Sequence, residues 1–152
     1  MATPGESTPT TNAGMDLDGI RESFAFFDSW EDKYRFVIDL GKDLPHMDET
    51  RKTEDHLVRG CQSQVWLHAE VDPDTGTMHL ELDSDAHIVR GLIAIVLAAY
   101  QGRTPRQIID FDMTGLFDEL DLLSHLSATR GNGLRAMVQS IERCAERAAA
   151  SG

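Results

Sequence analysis

The sequence is poor in cysteine, in basic residues and in long apolar runs. Two cysteines among 152 residues exclude a disulfide framework, and they are too few for an iron–sulfur scaffold, which takes about three or four thiolate ligands. The 14 basic residues against 26 acidic ones give a net charge of −12, which argues against nucleic acid or an anionic membrane surface as a partner. The longest apolar run, Leu92–Ala99, is too short to cross a bilayer.

The composition is that of one globular domain. Hydrophobic residues make up 41% and charged residues 26% of a length that suits a single core. Residues 1–14 are mainly Thr, Pro, Ser, Gly and Ala, so we expect a disordered tail ahead of a domain spanning residues 15–150. No basic segment followed by an apolar stretch indicates export, so a cytoplasmic location with reduced thiols is expected.

Helical periodicity is present at both ends of the domain. Apolar residues at intervals of three and four after Met15 predict a first helix. Ser29 is placed to cap a second helix, which Gly41 is expected to end. Its predicted buried face consists of Trp30, Tyr34, Val37 and Ile38.

Two further helices are predicted in the second half of the chain. Residues 104–107, Thr-Pro-Arg-Gln, combine a capping box with proline at the first helical position. The last helix carries one apolar stripe, formed by Leu134, Met137, Val138, Ile141, Ala145 and Ala148.

The middle of the chain changes to a period of two. Residues 64–82 alternate between apolar and polar on either side of a turn at 72–76, Asp-Pro-Asp-Thr-Gly, which predicts an antiparallel hairpin. A helix follows, with Ser84 or Asp85 as its expected cap, and its run Ile88–Tyr100 is apolar almost all round, so it should be the most buried helix. Helices, then strands, then helices indicate an α+β domain with a small antiparallel sheet packed against helices.

Cys61 is the best candidate for chemistry. It lies in residues 59–64, Arg-Gly-Cys-Gln-Ser-Gln, where glycine and small polar neighbours let a partner approach, although free cysteine is more often a small buried residue. Cys144 lies on the apolar stripe of the last helix and is predicted to pack in the core. Arg130 lies in the polar stretch 127–133, predicted to be a flexible turn, where it either stabilises a thiolate or is a solvated surface charge.

Two other kinds of site have weaker support. His68 and His79 lie on opposing strands of the hairpin, but no C-x-x-C or H-E-x-x-H spacing accompanies them, so solvated histidines are favoured over a metal site. A hydrolase would need a histidine such as His125 beside Cys61, oriented by an acid. No nucleophile elbow or similar local motif indicates one.

Five segments carry motifs that occur together. These are residues 30–34 (WEDKY), 60–66 (GCQSQVW), 84–94 (SDAHIVRGLIA), 125–127 (HLS) and 130–134 (RGNGL). In their content and order, from about residue 16 to residue 148, they resemble the SufE family of sulfur-acceptor proteins. The GCQSQVW segment is the most specific of the five.

The resemblance implies that Cys61 accepts sulfur, as a persulfide, from a cysteine desulfurase of the SufS type. The sulfur would then pass to a downstream iron–sulfur scaffold. Asp85 and Arg130 match family positions associated with partner engagement and reactivity. The protein would be a carrier that activates its partner, not an enzyme, and it would bind no cofactor, since the pyridoxal phosphate belongs to the desulfurase. Two alternatives stay open: a CsdE-like acceptor for a different desulfurase, and a thiol enzyme with Cys61 as nucleophile.

Overall fold

The computed structural model describes residues 16–58 and 64–151, and these form an α+β domain, as predicted. The predicted tail, residues 1–14, lies outside the described residues. Short 3₁₀ turns occupy Glu49–Arg51, Glu54–His56 and Leu123–His125. The other elements are α1 (Leu17–Phe26), α2 (Trp30–Lys42), β1 (Val65–Val71), β2 (Met78–Ser84), α3 (His87–Tyr100), α4 (Pro105–Asp110), α5 (Met113–Leu120) and α6 (Ala128–Ser151).

Local capping chemistry explains where two helices begin. The Ser29 hydroxyl accepts a hydrogen bond from the Asp32 N–H at 3.1 Å, which satisfies one of the free donors in the first turn of α2. Thr104 and Gln107 form both bonds of the predicted capping box at the start of α4. These two helix starts are therefore confirmed.

Glycine fixes how α2 lies on α3. The prediction that Gly41 ends α2 is wrong, because the helix continues to Lys42. A Cβ on Gly41 would come within 2.6 Å of the Gly91 nitrogen, and a Cβ on Gly91 would come within 2.0 Å of the Val37 carbonyl oxygen. The two helix backbones therefore touch where neither glycine has a side chain.

The predicted buried face of α2 is only partly correct. Val37 is buried, and Trp30 and Ile38 are half-buried against the core. Tyr34 is 37% exposed, so it does not belong to that face.

The hairpin is confirmed, with β1 and β2 antiparallel from the pair Val65–Ser84 to the pair Val71–Met78. Gly76 takes a φ of +76° in the connecting turn, a conformation that favours glycine. β2 packs on α3, and β1 packs on α6. Helix α3 is buried almost all round, as predicted, because α2 covers its other side.

None of the helices in the described ranges combines the length and the apolar character needed to cross a bilayer.

Candidate functional site

The residues just before and just after the segment that carries Cys61 lie next to each other. Cys61 itself, with residues 59–63, lies outside the described residues. The Val58 N–H donates to the Val65 carbonyl at 2.7 Å. Leu57 forms an antiparallel bridge with Trp66 just beyond. The residues before and after this segment are therefore hydrogen-bonded to each other at the start of β1.

Asp85 is hydrogen-bonded to Gln64, the first described residue after the same segment. Its carboxylate accepts from the Gln64 N–H at 3.1 Å, and its own N–H donates to the Gln64 carbonyl at 3.3 Å. The expectation that Ser84 or Asp85 caps the central helix is wrong: the residue before α3 is Ala86, and no side chain of the described residues caps the helix. Asp85 is instead directed toward Gln64 because it lies at the end of β2, opposite the start of β1.

A buried carboxylate holds the connection that leads into this segment. Asp83 is fully buried and accepts from the Met47 N–H at 2.9 Å. The guanidinium of Arg90 on α3 donates to the same carboxylate, and the ammonium of Lys52 lies 3.2 Å from it. The Lys52 ammonium also lies 5.2 Å from the centroid of the Trp66 ring. The stretch between α2 and β1 is thus bound to β2 and α3 at its middle.

Arg90 adds two further bonds, to the carbonyl oxygens of Gly41 and Leu44 at the end of α2. Burial would raise the pKa of Asp83, but hydrogen bonds from the Met47 and Ser84 N–H groups, then Lys52 and Arg90, hold that pKa below its usual value. Asp83 is therefore charged in the folded protein at neutral pH.

The prediction that Arg130 lies in a flexible turn is wrong. It lies in the first turn of α6, where its N–H donates to the Ser127 hydroxyl at 3.1 Å. The glycines at 131 and 133 both lie in the buried side of this helix. The Arg130 side chain is half-buried, and among the described residues no ion pair joins it to Asp85.

His125 packs against Trp30 at the start of α2. Its ring stacks on Trp30, with 4.2 Å between centroids and 17° between planes, and its Nδ1 lies 3.0 Å from the Asp121 carbonyl oxygen. The contact joins the start of α2 to the 3₁₀ turn before α6. His125 therefore has a packing role between two of the family motifs.

Cys144 and His68 also differ from expectation, whereas His79 is exposed, as was favoured. Cys144 is half-buried at the edge of the core and not within it, and the Arg147 guanidinium lies 3.5 Å from its sulfur. His68 faces Glu81 and His79 faces Glu70 across the hairpin, so the two histidines are not paired. His68 is half-buried and bonded to His56, not simply solvated. In the part of the chain that the structure describes, no group of three or more His, Cys, Asp or Glu side chains is placed to hold a metal ion.

The Asp83 cluster was missed at the level of sequence, although one feature points to it. Arg90 interrupts an otherwise apolar helix, and a buried arginine needs a partner. Asp83 itself gives no such signal. It follows Leu80 and Leu82, which alternate toward the core along β2, so its side chain was expected to face solvent.

Replacing Asp85 with alanine tests its bond to Gln64. The Gln64 N–H is exposed and can bond to water, so we expect the free energy of unfolding to fall by only about 0.5–1 kcal/mol. The rate of Cys61 alkylation by iodoacetamide should rise, because the variant loses both the bond at Gln64 and a negative charge that disfavours a thiolate.

Two controls separate these effects. Asp72→Ala removes the same charge and a comparable bond, to the Asp74 N–H at 2.8 Å, at the far end of the hairpin, and it should leave alkylation unchanged. Asp85→Asn keeps an acceptor but removes the charge. An alkylation rate in Asp85→Ala equal to that of Asp72→Ala would contradict a role for Asp85 at Cys61.

The domain matches known proteins over nearly its whole length. The family model described as SufE, the Fe-S metabolism associated domain, matches residues 18–145. An uncharacterized SufE-like protein of Rhizobium meliloti (strain 1021) is 49% identical over 132 residues, covering 86% of this chain and 94% of that protein. One of Rhizobium etli (strain ATCC 51251) is 50% identical over 137 residues, covering 88% and 93%.

A solved structure shows the same fold. The solution structure of a hypothetical protein from Thermus thermophilus superposes with a TM-score of 0.71 at 18% identity, covering 88% of this chain and 96% of that one. At this identity the likeness shows the fold alone.

Proposed function

This chain belongs to the SufE family, whose domain is associated with iron–sulfur metabolism, and from that premise we propose that it is a sulfur acceptor acting through Cys61. It takes sulfane sulfur from a SufS-type cysteine desulfurase, stimulates that enzyme and passes the sulfur on for iron–sulfur cluster assembly. The observation that carries the proposal is the family match across residues 18–145, which contains the segment Gly-Cys-Gln-Ser-Gln-Val-Trp at 60–66.

The chemistry requires one accessible thiolate. The Cys61 thiolate attacks the outer sulfur of the desulfurase persulfide, that sulfur becomes bonded to Cys61, and the desulfurase cysteine leaves as a thiolate. A free thiol with a pKa near ~8.5 is mostly protonated at neutral pH, so the site gains from any group that favours the charged form. Arg130, at the start of α6, is the residue we propose for this role.

The residues on either side of the Cys61 segment are anchored. Cys61 is the third residue after Val58 and the third before Gln64, and both are hydrogen-bonded to other described residues. The two points from which the acceptor residue is reached along the chain are therefore held in place.

The proposal gives this chain no cofactor, since the pyridoxal phosphate belongs to the desulfurase. It also makes the chain a carrier and not an enzyme. The nearest alternative is a CsdE-like acceptor that serves a different desulfurase through the same chemistry. A thiol enzyme with Cys61 as nucleophile is the other, and turnover of a small ester or peptide by the isolated protein would support it.

Sulfide release tests the proposal directly. The protein is mixed with candidate desulfurases of the SufS type and of the type that CsdE serves, each with cysteine, and sulfide is measured under reducing conditions. We expect the output of one desulfurase to rise several-fold with a saturable dependence on this protein, because removal of the persulfide frees the enzyme for another turnover. Output that stays unchanged with every candidate at saturating protein would rule the function out. Stimulation of only the CsdE-type partner would support the nearest alternative.

A further inference from the structure

A cavity of about 210 Å³ lies along the outer edge of β2, the edge that faces away from β1. Leu80 and Leu82, which point to the core, and His79 and Glu81, which point to the other face of the hairpin, all line it. Among the described residues, β1 contributes none to its walls. A cavity that meets both faces of one strand and does not meet the neighbouring strand lies at the free edge of the first strand.

Part of this edge already has hydrogen-bond partners. The Leu80 N–H donates to Oε1 of Gln101 at 2.8 Å, and Nε2 of Gln101 donates to the Leu80 carbonyl oxygen at 2.9 Å. The Met78 N–H donates to the Arg103 carbonyl oxygen at 2.8 Å. The side-chain carboxamide of Gln101 therefore makes both bonds that a further strand would make at Leu80.

Leu82 lacks such partners. Backbone groups alternate in direction along a strand, so the N–H and C=O of Leu82 point away from β1, as those of Leu80 do. Within residues 16–58 and 64–151, no hydrogen bond is formed to either of these two groups. Leu82 is only 2% exposed, so they face the cavity and not open solvent. A backbone donor and acceptor in such a place need a partner, which makes Leu82 the polar point of the cavity.

The edge is blocked on both sides of Leu82. Gln101 occupies it at Leu80. On the other side, the Met47 N–H is bonded to the Asp83 carboxylate, which holds Met47 beside the strand. A strand of several residues therefore has no continuous edge to pair with, whereas a single amide group can pair with Leu82.

The other walls of the cavity are largely apolar. They include Leu44, Met47 and Leu97, all of them buried. The volume of about 210 Å³ is below the roughly 300–1,000 Å³ of pockets for drug-sized molecules, so the cavity suits a smaller ligand. One polar pair among apolar side chains selects a molecule with an amide at one end and an apolar group at the other.

We propose that this cavity binds a small molecule that carries a primary carboxamide on an apolar group. The carboxamide oxygen accepts from the Leu82 N–H and the amide nitrogen donates to the Leu82 carbonyl, which is the pairing that Gln101 makes with Leu80. A primary carboxamide fits because its oxygen and one of its N–H bonds lie on the same side. The site uses no thiol and takes no part in the proposed sulfur transfer, so it is a second function of the domain.

Binding is tested with isovaleramide, a primary carboxamide on a branched aliphatic group, by recording NMR spectra of the ¹⁵N-labelled protein. We expect the Leu82 amide proton to move downfield and to saturate in the millimolar range, since the ligand has few atoms. N,N-dimethylisovaleramide and isovalerate have no N–H, so both leave the Leu82 carbonyl unpaired and should bind at least about tenfold more weakly. Equal affinities for the three ligands, or shifts that leave the Leu82 amide unmoved, overturn the proposal.

A substitution in the cavity wall tests the location. Leu97→Phe places a larger side chain in the cavity and should weaken isovaleramide binding at least about tenfold. The matched control is Ala98→Leu, which adds bulk to the same helix outside the cavity and should leave the affinity unchanged. The spectrum of each variant shows whether it is folded. Undiminished binding by folded Leu97→Phe overturns the site, and the comparison of the three ligands on the wild type decides the ligand chemistry without either variant.

Discussion

Replacing Cys61 with serine is expected to reduce sulfur acceptance to background while leaving the fold and desulfurase binding intact. Serine is close to cysteine in size, so the substitution removes the nucleophile with little change in shape. A hydroxyl cannot replace a thiolate at neutral pH, so no persulfide can form at this position.

Cys144→Ser is the matched control, because it removes the other thiol of the chain. The half-buried position of Cys144 beside the Arg147 guanidinium gives the new hydroxyl a hydrogen-bond donor, so the loss of stability should be small. Acceptance should stay at the wild-type level.

Peptide mass spectrometry locates the sulfur after the protein has been incubated with a desulfurase and cysteine and its persulfide has been trapped by alkylation. The added sulfur should be found on the peptide that contains Cys61. Sulfur on the Cys144 peptide of the wild type, or full acceptance by Cys61→Ser, would show that another residue is the carrier.

The second large effect is expected at Asp83. Asp83→Ala leaves the buried guanidinium of Arg90 and the nearby ammonium of Lys52 without their shared carboxylate, and it removes the acceptor of the Met47 N–H. Breaking a buried ion pair from one side costs about 3–5 kcal/mol. Chemical denaturation at pH 7 measures the loss. Glu81→Ala on the same strand breaks the half-exposed pair with Arg51 and should cost less than about 1 kcal/mol.

The pH dependence of stability gives Asp83 a separate test. Its pKa is lower in the folded protein than in the unfolded chain, so its contribution is present above the unfolded value of about 3.8 and is lost as the pH falls through the folded value. Asp83→Asn should therefore lose less stability than the wild type between pH 5 and pH 3, as measured by urea denaturation. A wild-type curve parallel to that of the variant in this window would contradict the assignment.

Much of the fold follows from local chemistry that the sequence displays. The hairpin was predictable because the turn residues at 72–76 and the period of two agree with each other. The starts of α2 and α4 were predictable because the capping side chains bond to backbone groups only three residues away. Such signals require no knowledge of tertiary structure.

The sequence-based predictions fail where contacts between distant segments of the chain determine the local structure. Gly41 has the sequence character of a helix end, but its role is to let α3 approach, through Gly91 some fifty residues later in the chain. Arg130 stands in a glycine-rich stretch that disfavours a helix in isolation, yet packing of its buried side and the Ser127 cap extend α6 back to Ala128.

For the candidate site, the sequence indicates one residue, Cys61, which stays a prediction, and it does not indicate the contacts around the segment that carries it. Cys61 is indicated by its own neighbours, whereas the partner of Asp85 depends on strand register, which brings the end of β2 beside Gln64. Asp83 and Arg90 are seven residues apart and meet only because α3 folds back over β2. An arginine within an apolar helix indicates a buried partner, but no short-range pattern in the sequence identifies that partner as Asp83.

The hairpin offers a place to attach a probe. Its seven paired positions separate the Val65 end, beside the acceptor segment, from the turn by about 20 Å. Asp74 is exposed in that turn, beyond the last pair. A dye or a surface tether introduced there as an unnatural amino acid adds no third thiol. Binding of a desulfurase can thus be followed on immobilised protein while the acceptor end stays open to the partner.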